Sequence, residues 1–316
     1  MKSYTLVLAG LFWIFSCSSP PEKESPLPAS TPSTPYLVVL GTAQDAGFPQ
    51  AGCQKDCCKT VWENPALREM VSCLAFVDPQ AEKAWIFDAT PDFKDQIQHL
   101  SQEKGLNLAG IFLTHAHMGH YTGLMQLGRE VMGSDKMPVY TMPRMENFLR
   151  ENGPWGQLVK LENIKLQTLQ NLQAVPLGPQ FHVTPIQVPH RDEYSETVGY
   201  SIQGPQKKVL FIPDIDKWEQ WEWNIDSVVQ AHDLSFLDAT FYQNGEIPGR
   251  DMSQIPHPFV EESMLRFEQL APATRQSIYF IHFNHTNPLL DQNSVAYKRV
   301  KEKGFNIAKT FQVFEL

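Results

Sequence analysis

An α/β domain over residues 36–316 is what the sequence predicts, and three observations predict it. Strand-length apolar runs recur through the whole stretch, helix-like segments follow several of them, and run after run stops on a histidine or an aspartate. With 316 residues, 42% hydrophobic and 19% charged, the chain can bury a sizeable core and still carry a segment in front of it. A net charge of -9 and the absence of any long Lys/Arg block argue against a nucleic-acid surface, leaving a small molecule as the expected substrate.

Residues 1–17 carry Lys2, an apolar run over 4–15 and then Ser16-Cys17, the layout of a secretory signal that is short for a stable membrane span. The tetrad Ile14-Phe15-Ser16-Cys17 resembles a bacterial lipoprotein cleavage box. That resemblance implies Cys17 as the acylated first residue, a lipid anchor in the membrane and a place in the cell envelope, with an uncleaved anchor or an ordinary secretory signal as the alternative. Residues 18–35 are rich in Pro, Ser and Thr and nearly devoid of apolar side chains, so they are expected to form an extended tether.

The first strand of the domain is expected over 36–40, running into a glycine-bearing loop over 41–50. Cys53, Cys57 and Cys58 follow, either a disulfide element or a soft-metal clip. A disulfide between the adjacent Cys57 and Cys58 would be strained, and Cys73 belongs to an apolar strand over 71–77, so structural zinc is the better account. An exported location argues the other way, because free thiols there tend to oxidise. Strands over 71–77 and 84–87 pair through a turn at Asp78-Pro79, and the second stops on Asp88 ahead of a helix over 92–102.

The apolar run 108–113 leads into His115-Ala116-His117-Met118-Gly119-His120 and a helix-like segment over 121–131. Three histidines therefore crowd a strand-to-helix corner. His115 and His117, two apart in extended chain, share a face, and His120 comes round from the helix side, an arrangement that suits zinc or iron. Residues 132–177 say less: a strand over 138–141, a helix over 142–150 and edge strands around 155 and over 158–172. Pro154 and Trp155 either border the site or pack the surface. Beyond them, the strand 181–188 stops at Pro189-His190, the strand 208–212 at Pro213-Asp214 and the strand 233–240 carries Asp238 near its end. His257 precedes a helix starting near Pro258, and the last apolar strand, 277–281, stops on His282, with His285 three residues on as the candidate fourth ligand for the cysteines.

The triplet His115-x-His117-x-x-His120 resembles the second motif of the metallo-β-lactamase superfamily, His-x-His-x-Asp-His, with Gly119 at the aspartate. Two subfamilies resemble the whole order of motifs. The pyrroloquinoline quinone biosynthesis protein B group shares the Gly47-Phe48-Pro49-Gln50 opening and, nearly, the Thr286-Asn287-Pro288 close. The carbon-phosphorus lyase pathway phosphodiesterase holds a structural zinc on three cysteines and a histidine just past its last catalytic one.

The resemblance implies a four-layer αβ/βα metallo-β-lactamase sandwich over 36–316. It implies His115, His117 and His190 on a first metal, and His120, Asp214 and His282 on a second, with Asp214 as the bridge. Asp88 would steady ligand imidazoles; His257 would be a general acid, a substrate contact or a helix cap. Cys53, Cys57, Cys58 and His285 would hold one structural zinc, Cys57 being the poorest match because Lys55 stands where a middle cysteine is expected. One or two zinc ions, or iron or manganese, would occupy the histidine site. Because the family's aspartate helps hold the second metal, Gly119 implies a one-metal or weakly two-metal centre. The retained histidine set, which the biosynthesis proteins generally lack, implies a hydrolase acting on an ester, phosphodiester or lactone. The rivals are an iron- and oxygen-dependent hydroxylase and a non-catalytic binding lipoprotein. Cys17→Ser should release the protein from the membrane fraction; an unchanged partition would overturn lipidation.

Overall fold

The computed structural model describes residues 32–316. The signal segment, Cys17 and nearly all of the expected tether lie outside the described residues. β1 (Tyr36–Gly41) is buried along its whole length, and its alternation sends side chains both ways: Leu37 and Val39 join one apolar cluster, Tyr36, Val38 and Leu40 another. A strand buried on both faces belongs inside a layered structure. The layers are two seven-stranded sheets.

The first sheet combines β1 with β2 (Cys73–Asp78), β3 (Lys83–Phe87), β4 (Asn107–Phe112), β5 (Met137–Thr141) and β6 (Ile164–Thr168). The second runs from β7 (Val175–Gly178) through β8 (Phe181–Gln187), β9 (Val198–Gln203), β10 (Lys208–Ile212), β11 (Leu234–Asp238) and β12 (Ile278–Ile281) to β13 (Asn306–Ile307). β14 (Val313–Glu315) returns to pair with β1 in the first sheet. Phe76, Phe87 and Phe112 of one sheet meet Tyr200, Phe211 and Phe236 of the other in a shared core. Helices cover each outer face: Phe93, Met145 and Leu158 pack under the first sheet, Val229, Met264 and Val300 under the second. The architecture is thus the expected αβ/βα sandwich. No helix among the described residues is long and apolar enough to cross a membrane.

Strand direction decides where the site can be. β1 to β2 and β2 to β3 are antiparallel, while β3 to β4 is parallel, so β1, β3 and β4 run the same way. In the second sheet β8, β10, β11 and β12 likewise share one direction. Every strand expected to stop on a histidine or aspartate therefore ends at the same edge of its own sheet.

Local differences from the sequence expectation have identifiable causes. In place of a helix over 121–131 there is a short helix, Met118–Tyr121, followed by 3-10 turns over Thr122–Leu127, because the Gly123 N–H donates to the Ala89 carbonyl instead of continuing a helical ladder. Trp155–Lys160 is a helix rather than an edge strand: Trp155 and Leu158, three apart, point to one side, where Trp155 meets Tyr121 and Phe148. Only Ile164–Thr168 of the expected 158–172 strand region is extended. At the end of β1, Gly41 admits a crossing no larger residue would: a Cβ there would lie 2.1 Å from the Val71 carbonyl oxygen. The chain beyond Gly41 is thereby aimed between β2 and the loop after β12, where Gln44 N–H donates to Phe283 O and Phe283 N–H to Thr42 O, both at 2.8 Å.

Candidate metal centre

Asp214, at the end of β10, lies at the centre of the histidines that the strand ends bring together. Its Oδ2 is 3.3 Å from His115 Nε2 and 3.9 Å from His117 Nδ1, and its Oδ1 is 3.3 Å from His190 Nε2. These four side chains form one group whose ligand atoms all lie within 4.8 Å of one another. Asp214 belongs equally to a second group of that kind, with His120, His282 and Asp45. Asp45, in the glycine-bearing loop after β1, has no sequence signal that marks it as a ligand. Its Oδ1 is 3.0 Å from His120 Nε2 and 3.5 Å from His282 Nε2.

Behind the imidazoles stands a layer of partners that fixes which nitrogen faces inward. Asp88 accepts hydrogen bonds from the Thr114 N–H at 2.7 Å and from the Thr114 hydroxyl at 3.0 Å, and its Oδ2 pairs with His120 Nδ1 at 2.7 Å. The Thr114 oxygen, its proton given to Asp88, meets His115 Nδ1 at 2.9 Å. Asp216 pairs with His190 Nδ1 at 3.0 Å, and Thr240 with His282 Nδ1 at 3.0 Å. His117 differs: it turns Nδ1 toward Asp214 while Nε2 meets the exposed Glu193 at 3.3 Å. Ligand imidazoles are commonly held this way, one nitrogen to the protein and the other to the metal.

The inward atoms confirm the fit to a cation. His115 Nε2, His190 Nε2, His282 Nε2 and Asp214 Oδ1 are buried with no hydrogen-bond partner, although a buried polar atom left unpaired is costly. Neutral imidazoles and carboxylates are the donor set that zinc, manganese or iron takes, and the convergence of those orphaned atoms is what such ions would relieve. His115, His117, His190 and Asp214 could hold one ion, and His120, Asp214, His282 and the neighbouring Asp45 form a group that could hold another.

The electrostatics divide the imidazoles into two sets. Burial, with the charge of neighbouring His120, pushes His115 well below the usual imidazole value, leaving the neutral form a metal needs. Burial opposes charging His190 and His257 too, yet Asp214 with Asp216 raises the first to about 9, and Asp238 with Asp214 raises the second to about 10. Against burial, Asp88 and Asp45 hold His120 well above its ordinary value. Against burial again, His120 and His282 keep the Asp45 carboxyl well below the usual range, and His190 and His257 do the same for Asp214.

His257 is not a helix cap. The helix Val260–Phe267 is capped by Glu262, whose Oε2 accepts from the Phe259 N–H at 2.8 Å. His257 instead places Nδ1 2.9 Å from Asp238 Oδ2 and 3.1 Å from Asp214 Oδ1. Asp238 is fixed in turn by the Thr240 N–H and hydroxyl and by the Ile215 N–H. Asp238 and Thr240 sit where a strand-end acid was already visible in the sequence; what they hold was not.

The cysteines form a separate cluster. Cys53, Cys57, Cys58 and His285 bring their ligand atoms within 4.8 Å of one another, and none of the cysteines is in a disulfide. A tetrahedral zinc with Zn–S of about 2.3 Å would set sulfur–sulfur edges near 3.8 Å and sulfur–nitrogen edges near 3.6 Å. Cys53 and Cys57 are 3.9 Å apart, and His285 Nδ1 lies 3.6 Å from Cys57 and 3.3 Å from Cys58. Cys57, the least expected ligand, stands with the rest. Burial, backed by the neighbouring thiols, pushes the Cys58 thiol up to about 12, so binding has to displace a firmly held proton.

A β-lactamase superfamily domain model matches residues 85–283, and the chain belongs to that superfamily. Coenzyme PQQ synthesis protein B of Gluconobacter oxydans (strain 621H) is 26% identical over 311 residues, covering 89% of this chain and 98% of its own length. The protein of that name from Methylococcus capsulatus is 24% identical, over 86% of this chain and 97% of its own. Among solved structures, zinc-bound PqqB from Methylobacterium extorquens superposes with a TM-score of 0.74 at 21% identity, covering 89% of this chain and 100% of its own. A diphosphatase of the PhnP family follows at 0.61 and 20% identity, covering 89% and 97%.

Replacing Cys58 by Ser should remove one zinc per chain and lower Tm by about 3 °C, the effect of roughly 2 kcal/mol on a chain of this size. Metal analysis and a thermal melt check both, and an unchanged melt after loss of that zinc would rule out a structural clip.

Proposed function

We propose that this chain is a metal-dependent hydrolase that cleaves an ester, phosphodiester or lactone in a small molecule, held at the cell envelope by a lipid on Cys17. The observation that carries the hydrolytic reading is the pair of ligand groups sharing Asp214, with unpaired nitrogens aimed inward from both sheets. Bound divalent cations supply Lewis acidity, making water nucleophilic near neutrality and polarising the oxygen of the electrophile.

The chain's own residues supply position and protons. Asp214 turns Oδ2 toward His115, His117 and His120, members of both ligand groups, and Oδ1 toward His190 and His257. Asp88, Thr114, Asp216 and Thr240 keep the ligand imidazoles in the tautomer that presents a lone pair inward. His257, its Nδ1 held by Asp238, has Nε2 left to give a proton to the departing oxygen as that oxygen's bond to carbon or phosphorus breaks.

The name of the relatives favours a second reading, an oxygen-dependent step in cofactor synthesis with iron at the same histidines. The two separate on one experiment. Activity on a chromogenic ester and phosphodiester panel is expected to be equal with and without oxygen, and His115→Ala should lower it by at least about 100-fold, the upper end of what loss of an outer partner costs. Turnover that stops under anaerobic conditions would move the assignment to oxidation. His257→Ala should cost about 100-fold with a poor alkoxide leaving group and far less with nitrophenolate, which departs without a proton. Equal losses for both leaving groups would remove His257 from proton transfer.

A further inference from the structure

Gly119 stands where the superfamily motif has an aspartate, and the space beside it is filled by another residue. A Cβ on Gly119 would lie 2.5 Å from Asp45 Oδ1, 2.8 Å from Asp45 Cβ and 2.4 Å from Asp45 Cα. The carboxylate of Asp45 thus occupies the volume a side chain at 119 would enter. It points at the nitrogens such a side chain would serve, His120 Nε2 at 3.0 Å and His282 Nε2 at 3.5 Å.

Resting on the metal-dependent reading above, we propose that Asp45, delivered from the loop after β1, is a ligand of the second cation and replaces the motif carboxylate absent at 119. The centre then holds two cations rather than one. Three features carry the assignment. The second ligand group is complete only with Asp45, since Asp214 would otherwise be its one anion beside two neutral imidazoles. His282 Nε2, fully buried, remains without a partner at that spot, which points to a ligand there and not to a finished hydrogen-bond network. The loop is also held in place: the Ala43 N–H donates to Met70 O at 2.9 Å, the Gln44 N–H to Phe283 O at 2.8 Å and the Gly47 N–H to Gln44 O at 2.8 Å. A second dication next to the first needs added negative charge, and a carboxylate from a different part of the chain supplies it as well as one from the motif would.

The two positions are mutually exclusive. Residue 119 must lack a side chain for Asp45 to reach the centre, so Gly119 is a requirement of the altered arrangement rather than a sign of decay.

Cobalt(II) titration of the purified full-length chain tests this, because a thiolate-to-cobalt charge-transfer band marks the cysteine clip separately from the histidine centre. Wild type is expected to bind three cobalt ions. Asp45→Asn, close in shape, should keep the clip band and one histidine-site ion while binding the third at least about tenfold more weakly. Gly119→Ala should show the same selective loss, its Cβ displacing Asp45, although alanine carries no ligand. A third ion bound by Asp45→Asn with wild-type affinity would overturn the assignment, as would a wild-type protein holding a single histidine-site ion that Asp45→Asn leaves untouched; in both cases the hydrolase reading survives. A wild type binding cobalt at the clip alone would remove the hydrolase reading and this one together.

Discussion

Asp214 carries a charge that the fold has taken almost wholly out of water, at 3% exposure, and its surroundings follow from the need to balance it. An uncompensated carboxylate at that depth would cost several kcal/mol, of order what breaking a buried ion pair costs. Four imidazoles approach it from three directions: His115 and His117 from the corner after β4, His190 from the end of β8 and His257 from the loop before Val260–Phe267. Imidazole can play two parts there. It holds a proton and becomes the counter-charge, or it stays neutral and shares a cation that does the same work. The raised values of His190, His257 and His120 describe the first condition, and the inward nitrogens without partners anticipate the second. Protons and metal ions compete for one set of atoms.

That balance is possible because each sheet turns its ligand-bearing strands the same way. Asp88 ends β3 and His282 ends β12 with backbone in the left-handed region, φ 75° and 70°, a conformation that costs a non-glycine residue about 1–3 kcal/mol. Both are held there by hydrogen bonds outside the strand: the Asp88 N–H to Phe112 O and the following Ala89 N–H to His120 O on one side, the Phe283 N–H to Thr42 O on the other. The turn swings a side chain that would otherwise alternate into one of the two cores out toward the edge where the sheets meet. Strain at corresponding strand ends thus goes with placing Asp88 behind His120 and His282 beside Asp45.

Much of this was legible in the sequence, for a reason that also explains what was not. A strand announces itself locally, and a histidine or aspartate at its end is visible without knowing its partner; His190, Asp214 and His282 could be singled out on that ground. The clip was legible because cysteines are scarce and soft, even though Cys57 has unusual spacing. Asp45 was not, since an aspartate in a glycine-bearing loop reads as a turn residue, and its importance comes from an absence 74 positions later, at Gly119. Trp155–Lys160 was misread because its apolar residues are few enough to suit either period, and only contact with Tyr121 and Phe148 decides in favour of helix.

The histidine centre and the cysteine clip are built from the same two segments. The loop leaving β1 presents Asp45 and Cys53 and leads into the helix Asp56–Glu63, whose first turn carries Cys57 and Cys58; the loop leaving β12 presents His282 and then His285. Four protein ligands leave a zinc in the clip no open position, so it is closed to chemistry. The contribution of such a zinc would be mechanical. Ordering a loop costs about 1–2 kcal/mol per residue in backbone entropy, and a clip that ties this loop to the loop after β12 meets that cost away from the reacting centre. Asp45 meets His282 at 3.5 Å, and a few residues further along the same two segments Cys57 and Cys58 meet His285 at 3.6 and 3.3 Å. On this argument a ligand taken from outside the motif is tolerable only where a second site holds its loop, and the cysteines immediately following Asp45 provide that hold.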